Sequence, residues 1–226
     1  MNTNTKKPLA IFVIYIIVCL ALSILLQVWQ KYSSLLCFSL IAFVFIFSAV
    51  NYKRSRTWLL ITLGLMFTLC ADYCLVLSSP TKQLLGTCFF LVVQTIYFVY
   101  IFLQEKRIIV RRIHVIARLV LIVISVVACV LVLKEKTNAL AIVSIIYYAN
   151  LITNLIFAFI DRNWFFGIAL TLFALCDVCV GLTVLSNSYL QFESSSILYK
   201  LAYPNVNLAW IFYSPSQIMI SIQSQK

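Results

Sequence analysis

Acidic side chains number only six and histidine only one in 226 residues. Glycine and proline are equally scarce, at four each. One histidine rules out a histidine-rich zinc site, and a Ser-His-Asp hydrolase would have to use His114. His114 stands beside Arg111 and Arg112 at the start of an apolar run, where it reads as a surface residue far from the acids. Four glycines leave no phosphate-cradling loop, and neither G-x-S-x-G nor H-E-x-x-H occurs. Charged residues make up only 10% of the chain against 64% hydrophobic, with a mean hydropathy of +1.06. That is too little polar surface to coat a soluble core. The glycine-rich turns and aromatic alternation of a membrane β-barrel are missing as well.

What the chain does have is a series of apolar runs of about 20 residues, the length that spans a bilayer as a helix. They predict an all-α polytopic membrane protein, one integral membrane domain over residues 1–226. Eight helices are expected, near 9–30, 33–51, 57–79, 84–104, 112–133, 138–160, 164–186 and 204–222. The breaks between them are short. Only the segment near 186–205 has room for an extra element, such as an interfacial helix. The first apolar run follows Lys6 and Lys7 but is too long for a signal-peptide core, so it reads as a helix.

The formal net charge of +11 invites a nucleic-acid reading, but the basic residues sit between apolar runs, where they set topology. Twelve of the 17, including Lys53, Arg56, Arg107, Arg118 and Lys226, fall on one side and five on the other, Lys31, Lys82, Lys134, Lys136 and Lys200. That asymmetry puts both termini in the cytoplasm, with the plasma membrane as the expected location and no nucleic-acid partner. The eight cysteines all lie in or beside apolar runs, which argues against a disulfide framework. Cys70, Cys74, Cys176 and Cys179 have spacings that could hold a metal beside an acid. Buried cysteine mostly behaves as a small hydrophobe, however, and no metal is expected.

Two of the six acids are out of place. Asp72 sits in TLCADYCLVL and Asp177 in FALCDVCVGL, deep inside greasy segments. A charge at the bilayer centre costs ~2.5–3.5 kcal/mol even on the lenient insertion scale. Each acid is therefore neutral, paired or facing a wet cavity, and no Lys or Arg is expected at a helix centre to pair with it. Asp72 follows Trp58 by 14 residues and Asp177 follows Trp164 by 13. Both lie ~20 Å from the cytoplasmic side, on helices running the same way. Two acids at matched depth can share one cavity, where a neutral one is a usable general acid and an ionised neighbour a usable base. The offset of 105 between Asp72-Tyr73-Cys74 and Asp177-Val178-Cys179 hints at two four-helix pseudo-repeats. Other mid-helix polar groups could line the cavity: Gln94, Tyr97 and Tyr100, then Tyr147, Tyr148, Asn150 and Asn154, then Tyr213 and Gln217. Their spacings of three or four put several on shared helix faces.

This layout resembles the YhhN-like family of lysoplasmalogenases. LGLMFTLCADYCLVL resembles the family's Gly-Asp segment, LFALCDVCVGL its Ser-Asp segment, and FYSPSQIMI its last helix, with Tyr213 and Gln217 in place. LGTCFFLVVQTIYFVYIF is similar to the helix in which the family carries His-x-x-Tyr. Ala71 stands for the family's Gly, Cys176 for its Ser and Gln94 for its His, so one titratable group is lost. The resemblance implies hydrolysis of the vinyl ether bond of a lysoplasmalogen, giving a fatty aldehyde and glycerophospho-ethanolamine or -choline. Asp72 and Asp177 would be catalytic. Gln94, Tyr97, Tyr147, Asn150, Tyr213 and Gln217 would bind the lysophospholipid, and no cofactor is needed. A small proton-coupled transporter or a catalytically degenerate membrane protein remains the alternative.

Overall fold

A computed structural model describes residues 6–188, 193, 196–204 and 206–225. Among these residues there are nine α-helices and no strand. They are α1 (Lys6–Val28), α2 (Ser33–Val50), α3 (Arg56–Asp72), α4 (Gln83–Gln104), α5 (Ile108–Leu133), α6 (Ala139–Ile160), α7 (Trp164–Ser188), α8 (Ile197–Ala202) and α9 (Leu208–Gln223). The first seven are long and apolar enough to cross a membrane. α9 has 16 residues, ~24 Å of helix, and carries Ser214, Ser216, Gln217, Ser221 and Gln223. Such a segment is too polar to face lipid. It is instead packed among α7, α2, α3 and α1. The six-residue α8 falls in the stretch where an extra element was expected, and Lys226 lies outside the described residues.

The helices run alternately up and down. The beginnings of α3, α5 and α7 gather with the ends of α2, α4, α6 and α9 at one end, called here the basic end. Consecutive helices pack in two series, α1 to α4 and α5 to α7 with α9. α2 also contacts α9, and α6 contacts α4. α5 sits at the periphery against α6. A common core joins the halves through Leu65, Tyr97, Leu151, Phe166, Phe173 and Ile220.

α3 begins at Ser55, whose side chain accepts from Trp58 N–H at 3.0 Å. After Asp72 it widens into a π turn over Tyr73–Leu77, with Ser78 N–H bonded to Tyr73 O at 2.9 Å. Such a turn re-aims side chains and is frequent at functional sites. α3 meets α4 closely at Gly64. A Cβ there would stand 2.5 Å from Tyr97 Cε1, and since that ring is fully buried only glycine fits.

At the basic end a charged cluster ties the α4–α5 connection to the α6–α7 connection. Arg107 donates to Glu105 Oε1 at 3.0 Å through Nε and to Oε2 at 2.5 Å through Nη2. The same Nη2 lies 3.5 Å from Asp161 Oδ1. Arg107 holds the Glu105 carboxyl well below the usual range. Burial, and then the neighbouring Glu105, push Asp161 from an ordinary 3.8 up to about 7. Between those two values the folded chain keeps a proton on Asp161 that the unfolded chain gives up. Stability conferred at Asp161 therefore falls as pH rises across that window and levels off above it. Glu105, held low in the fold, has its ordinary value of 4.5 when unfolded, so it adds an opposing rise in stability up to about pH 5.5 and no slope above it. Asp161→Asn is expected to flatten the thermal-unfolding midpoint between about pH 5.5 and 7, where Asp161 alone supplies the slope. An unchanged slope in detergent-solubilised protein would show that Asp161 is not the titrating group.

Candidate functional site

Asp72 is the last α-helical residue of α3 and is 3% exposed. Its Oδ2 accepts from the Tyr213 hydroxyl of α9 at 2.8 Å. Asp177, half-buried on α7, accepts through Oδ2 from the Tyr147 hydroxyl of α6. Between the pairs stands the ring of Phe90 from α4. Its centroid is 5.7 Å from Tyr147 and 6.5 Å from Tyr213. Phe173 packs 5.6 Å from Phe90 and 5.4 Å from Tyr213, and Trp210 lies edge-on to Tyr213 at 4.9 Å. Four helices thus bring two Asp–Tyr pairs around one aromatic floor. A tyrosine that donates to one carboxylate oxygen fixes the rotation of that carboxylate, and the surrounding rings exclude bulk water.

The other residues expected at a site divide. Gln217 is fully buried one turn beyond Tyr213, and neither its oxygen nor its nitrogen has a partner in the protein. Tyr97 is fully buried against Gly64. Gln94 and Asn150 belong to a second cluster built on Arg118. Arg118 donates through Nη1 to Asn150 Oδ1 and through Nη2 to Asn154 Oδ1 at 2.5 Å. Asn154 donates on to Gln94 Oε1 at 2.9 Å and to its backbone oxygen at 2.8 Å.

Two expectations are corrected here. Arg118 is not a topology-setting surface charge but an interior residue, 8% exposed, with its guanidinium 4.1 Å from the Phe98 ring centroid. His114 is not a surface residue either. It is 2% exposed and stacks on Phe157 at 3.9 Å, with Nε2 facing Arg118 Nη2 at 3.3 Å. A guanidinium only donates, so that nitrogen accepts. Both errors come from one boundary. α5 starts at Ile108 rather than 112, so Arg118 lies ten residues, ~15 Å, into the helix. The i, i+4 spacing of His114 and Arg118 inside an apolar run was the available signal. Phe90 and Phe173 carried none, since a phenylalanine in a membrane helix is unremarkable in sequence.

Beside the Asp72 turn an apolar crevice of about 360 Å³ is lined by Phe38, Leu69, Cys70, Tyr73, Cys74 and Phe89. A wider hollow of about 520 Å³ near Thr81 to Cys88 lies at the far end of the bundle from the basic cluster. All eight cysteines are free thiols. Among the described residues, no group of three or more His, Cys, Asp or Glu could hold a metal ion. The profile of the YhhN family matches residues 26–222. No curated protein and no solved structure matches the chain.

Proposed function

The chain belongs to the YhhN family, and from that premise we propose that it is a membrane-embedded ether hydrolase acting on lysoplasmalogens. The observation that carries this reading is the facing of Asp72–Tyr213 and Asp177–Tyr147 across Phe90. Vinyl ether hydrolysis needs two proton-transfer groups and water. One carboxyl in its neutral form gives a proton to the enol-ether carbon, leaving an oxocarbenium ion. The other, ionised, takes a proton from water as its oxygen bonds to the cationic carbon. The hemiacetal then collapses to aldehyde and the glycerol hydroxyl of the head group. The π electrons of Phe90, whose ring lies between the two pairs, stabilise the cation. Tyr147 and Tyr213 hold the carboxylates in place. The crevice beside Asp72 has the apolar lining that an alkenyl chain needs, and it opens from the same helical turn. In this reading the basic end faces the cytoplasm, since the cluster around Arg56, Arg107 and Arg112 is where positive charge is retained.

The test is release of fatty aldehyde from a lysoplasmalogen by purified protein, with an ester lysolipid in parallel. Cleavage of the vinyl ether is expected. Failure to cleave either lipid, together with Asp72-dependent proton movement in proteoliposomes, would replace the hydrolase by a proton-coupled transporter.

A further inference from the structure

Below Asp72, toward the basic end, runs a seam of buried polar atoms that the proton-transfer steps do not use. Its alignment follows from two links between the antiparallel helices α3 and α9, one bridged by Ser48 of α2 and one direct. Near the basic end Ser48 Oγ joins Thr62 Oγ1 at 2.7 Å and Ser224 Oγ at 2.9 Å. Higher up, Tyr213 donates to Asp72. From 62 to 72 is ten residues along α3, and from 224 back to 213 is eleven along α9. Gln217, four after Tyr213, therefore lies level with Thr68, four before Asp72. Tyr97 of α4 supplies the third wall. Its hydroxyl would stand 3.2 Å from a Cβ on Gly64, one turn below Thr68. Gln94 precedes Tyr97 by one turn on the same face of α4.

Thr68, Gln94, Tyr97 and Gln217 are each 0% exposed. Thr68 Oγ1, Gln94 Nε2, Tyr97 Oη and both amide atoms of Gln217 have no hydrogen-bond partner in the protein. The Thr68 and Tyr97 hydroxyls approach each other without reaching hydrogen-bond geometry. Single orphaned groups are rare in native proteins, and five in adjoining turns of neighbouring helices mark a place where something else hydrogen-bonds them. The seam contains no charge, because Arg118 stands behind Asn154 and is already bonded to it. A phosphate would find no cation here. The group it suits is small, neutral, and able both to donate and to accept.

We propose that the seam is a site for internal water, a short file of molecules held by Thr68, Tyr97, Gln94 and Gln217 that reaches Asp72. Its existence rests on these orphaned atoms. Its role, delivery of the water that hydrolysis consumes, rests on the hydrolase reading. The supply enters from the basic end. There Tyr100, one turn beyond Tyr97, accepts from Gln223 Nε2 at 2.6 Å and from Asn163 Nδ2 at 3.1 Å. That closure is polar, and its members can exchange hydrogen bonds with passing water, which an apolar plug cannot do.

Radiolytic hydroxyl-radical footprinting of the full chain in detergent reads this directly, because radicals formed from bound water oxidise adjacent buried side chains. Tyr97 is expected to be labelled, whereas Tyr15 is not. Tyr15 is equally buried, at 1% exposed, but its hydroxyl is already satisfied by Ser221 at 2.5 Å. Thr68→Val combined with Gln217→Leu should abolish Tyr97 labelling and leave Tyr15 unchanged, while Thr68→Ser should retain it. New labelling of Tyr15 would identify a variant that had loosened the bundle, and the wild-type comparison would then decide. Wild-type Tyr97 labelled no more than Tyr15 overturns the proposal, as does Tyr97 labelling that survives in a well-folded double variant. Labelled Tyr97 in a protein that cleaves no vinyl ether would leave the water site standing and remove the hydrolase reading instead. With both intact, Gln217→Leu should lower kcat more than it raises KM.

Discussion

Protein carrying Asp72→Asn or Asp177→Asn is expected to release fatty aldehyde from a lysoplasmalogen at least about 10²-fold more slowly than wild type, since general acid–base catalysis typically supplies 10²–10⁴. Asn keeps the size of the side chain and can still accept from Tyr213 or Tyr147, so the bundle should assemble normally. What it loses is the exchangeable proton. Tyr213→Phe and Tyr147→Phe remove only the hydrogen bond that orients each carboxyl. They should cost less than the corresponding Asn variants. The double Asn variant should be scarcely slower than the worse single one, because one missing proton transfer already stops the cycle. Full activity in a folded Asn variant would clear that acid of any proton-transfer role. Equal losses in Tyr213→Phe and Asp72→Asn would instead make the tyrosine the reacting group.

The largest effect on stability is expected away from the acids, at Arg118. Asn150→Leu with Asn154→Leu removes both amide oxygens that receive the guanidinium and leaves a charge buried between α5 and α6. Breaking a buried charge from its partners costs about 3–5 kcal/mol. Adding Arg118→Met to the same background removes the stranded charge and should recover much of that loss. Met is apolar and flexible enough to fill the space beside Phe98. The measurement is unfolding in detergent for the double and triple variants. If the triple variant is no more stable than the double, the cost arises from packing of α6, and Arg118 is not the reason those asparagines are there.

These two sites differ in how far the chain alone disclosed them. Asp72 and Asp177 were visible because a carboxylate in an apolar run violates the composition around it, and the violation is local. Tyr213 and Gln217 were visible one turn apart. Their partners were not. Whether Asp72 meets Tyr213, Tyr147 or Tyr97 depends on the rotation of α3 and on its register against α9, and neither is written in α3. Arg118 was hidden for a related reason. It stood close enough to Arg111 and Arg112 to read as one more boundary charge, and a helix that begins four residues earlier carries it a full turn deeper.

The sequence by itself determined the material of this protein: eight helical runs expected to span a bilayer, two misplaced acids, and a family signature over residues 26–222. Run length and local composition carry those facts, since each span satisfies its own backbone hydrogen bonds without help from a neighbour. Only the tertiary structure decided that α9 occupies the interior, that Phe90 stands between the two Asp–Tyr pairs, and that Gln94 accepts from Asn154 beside Arg118. The physical reason is the solvent. In water an amphipathic pattern reveals which face of a helix turns inward, but in lipid the outer face is as apolar as the inner one. Helix rotation, and with it the choice of partner for every buried polar side chain, is then settled by packing alone.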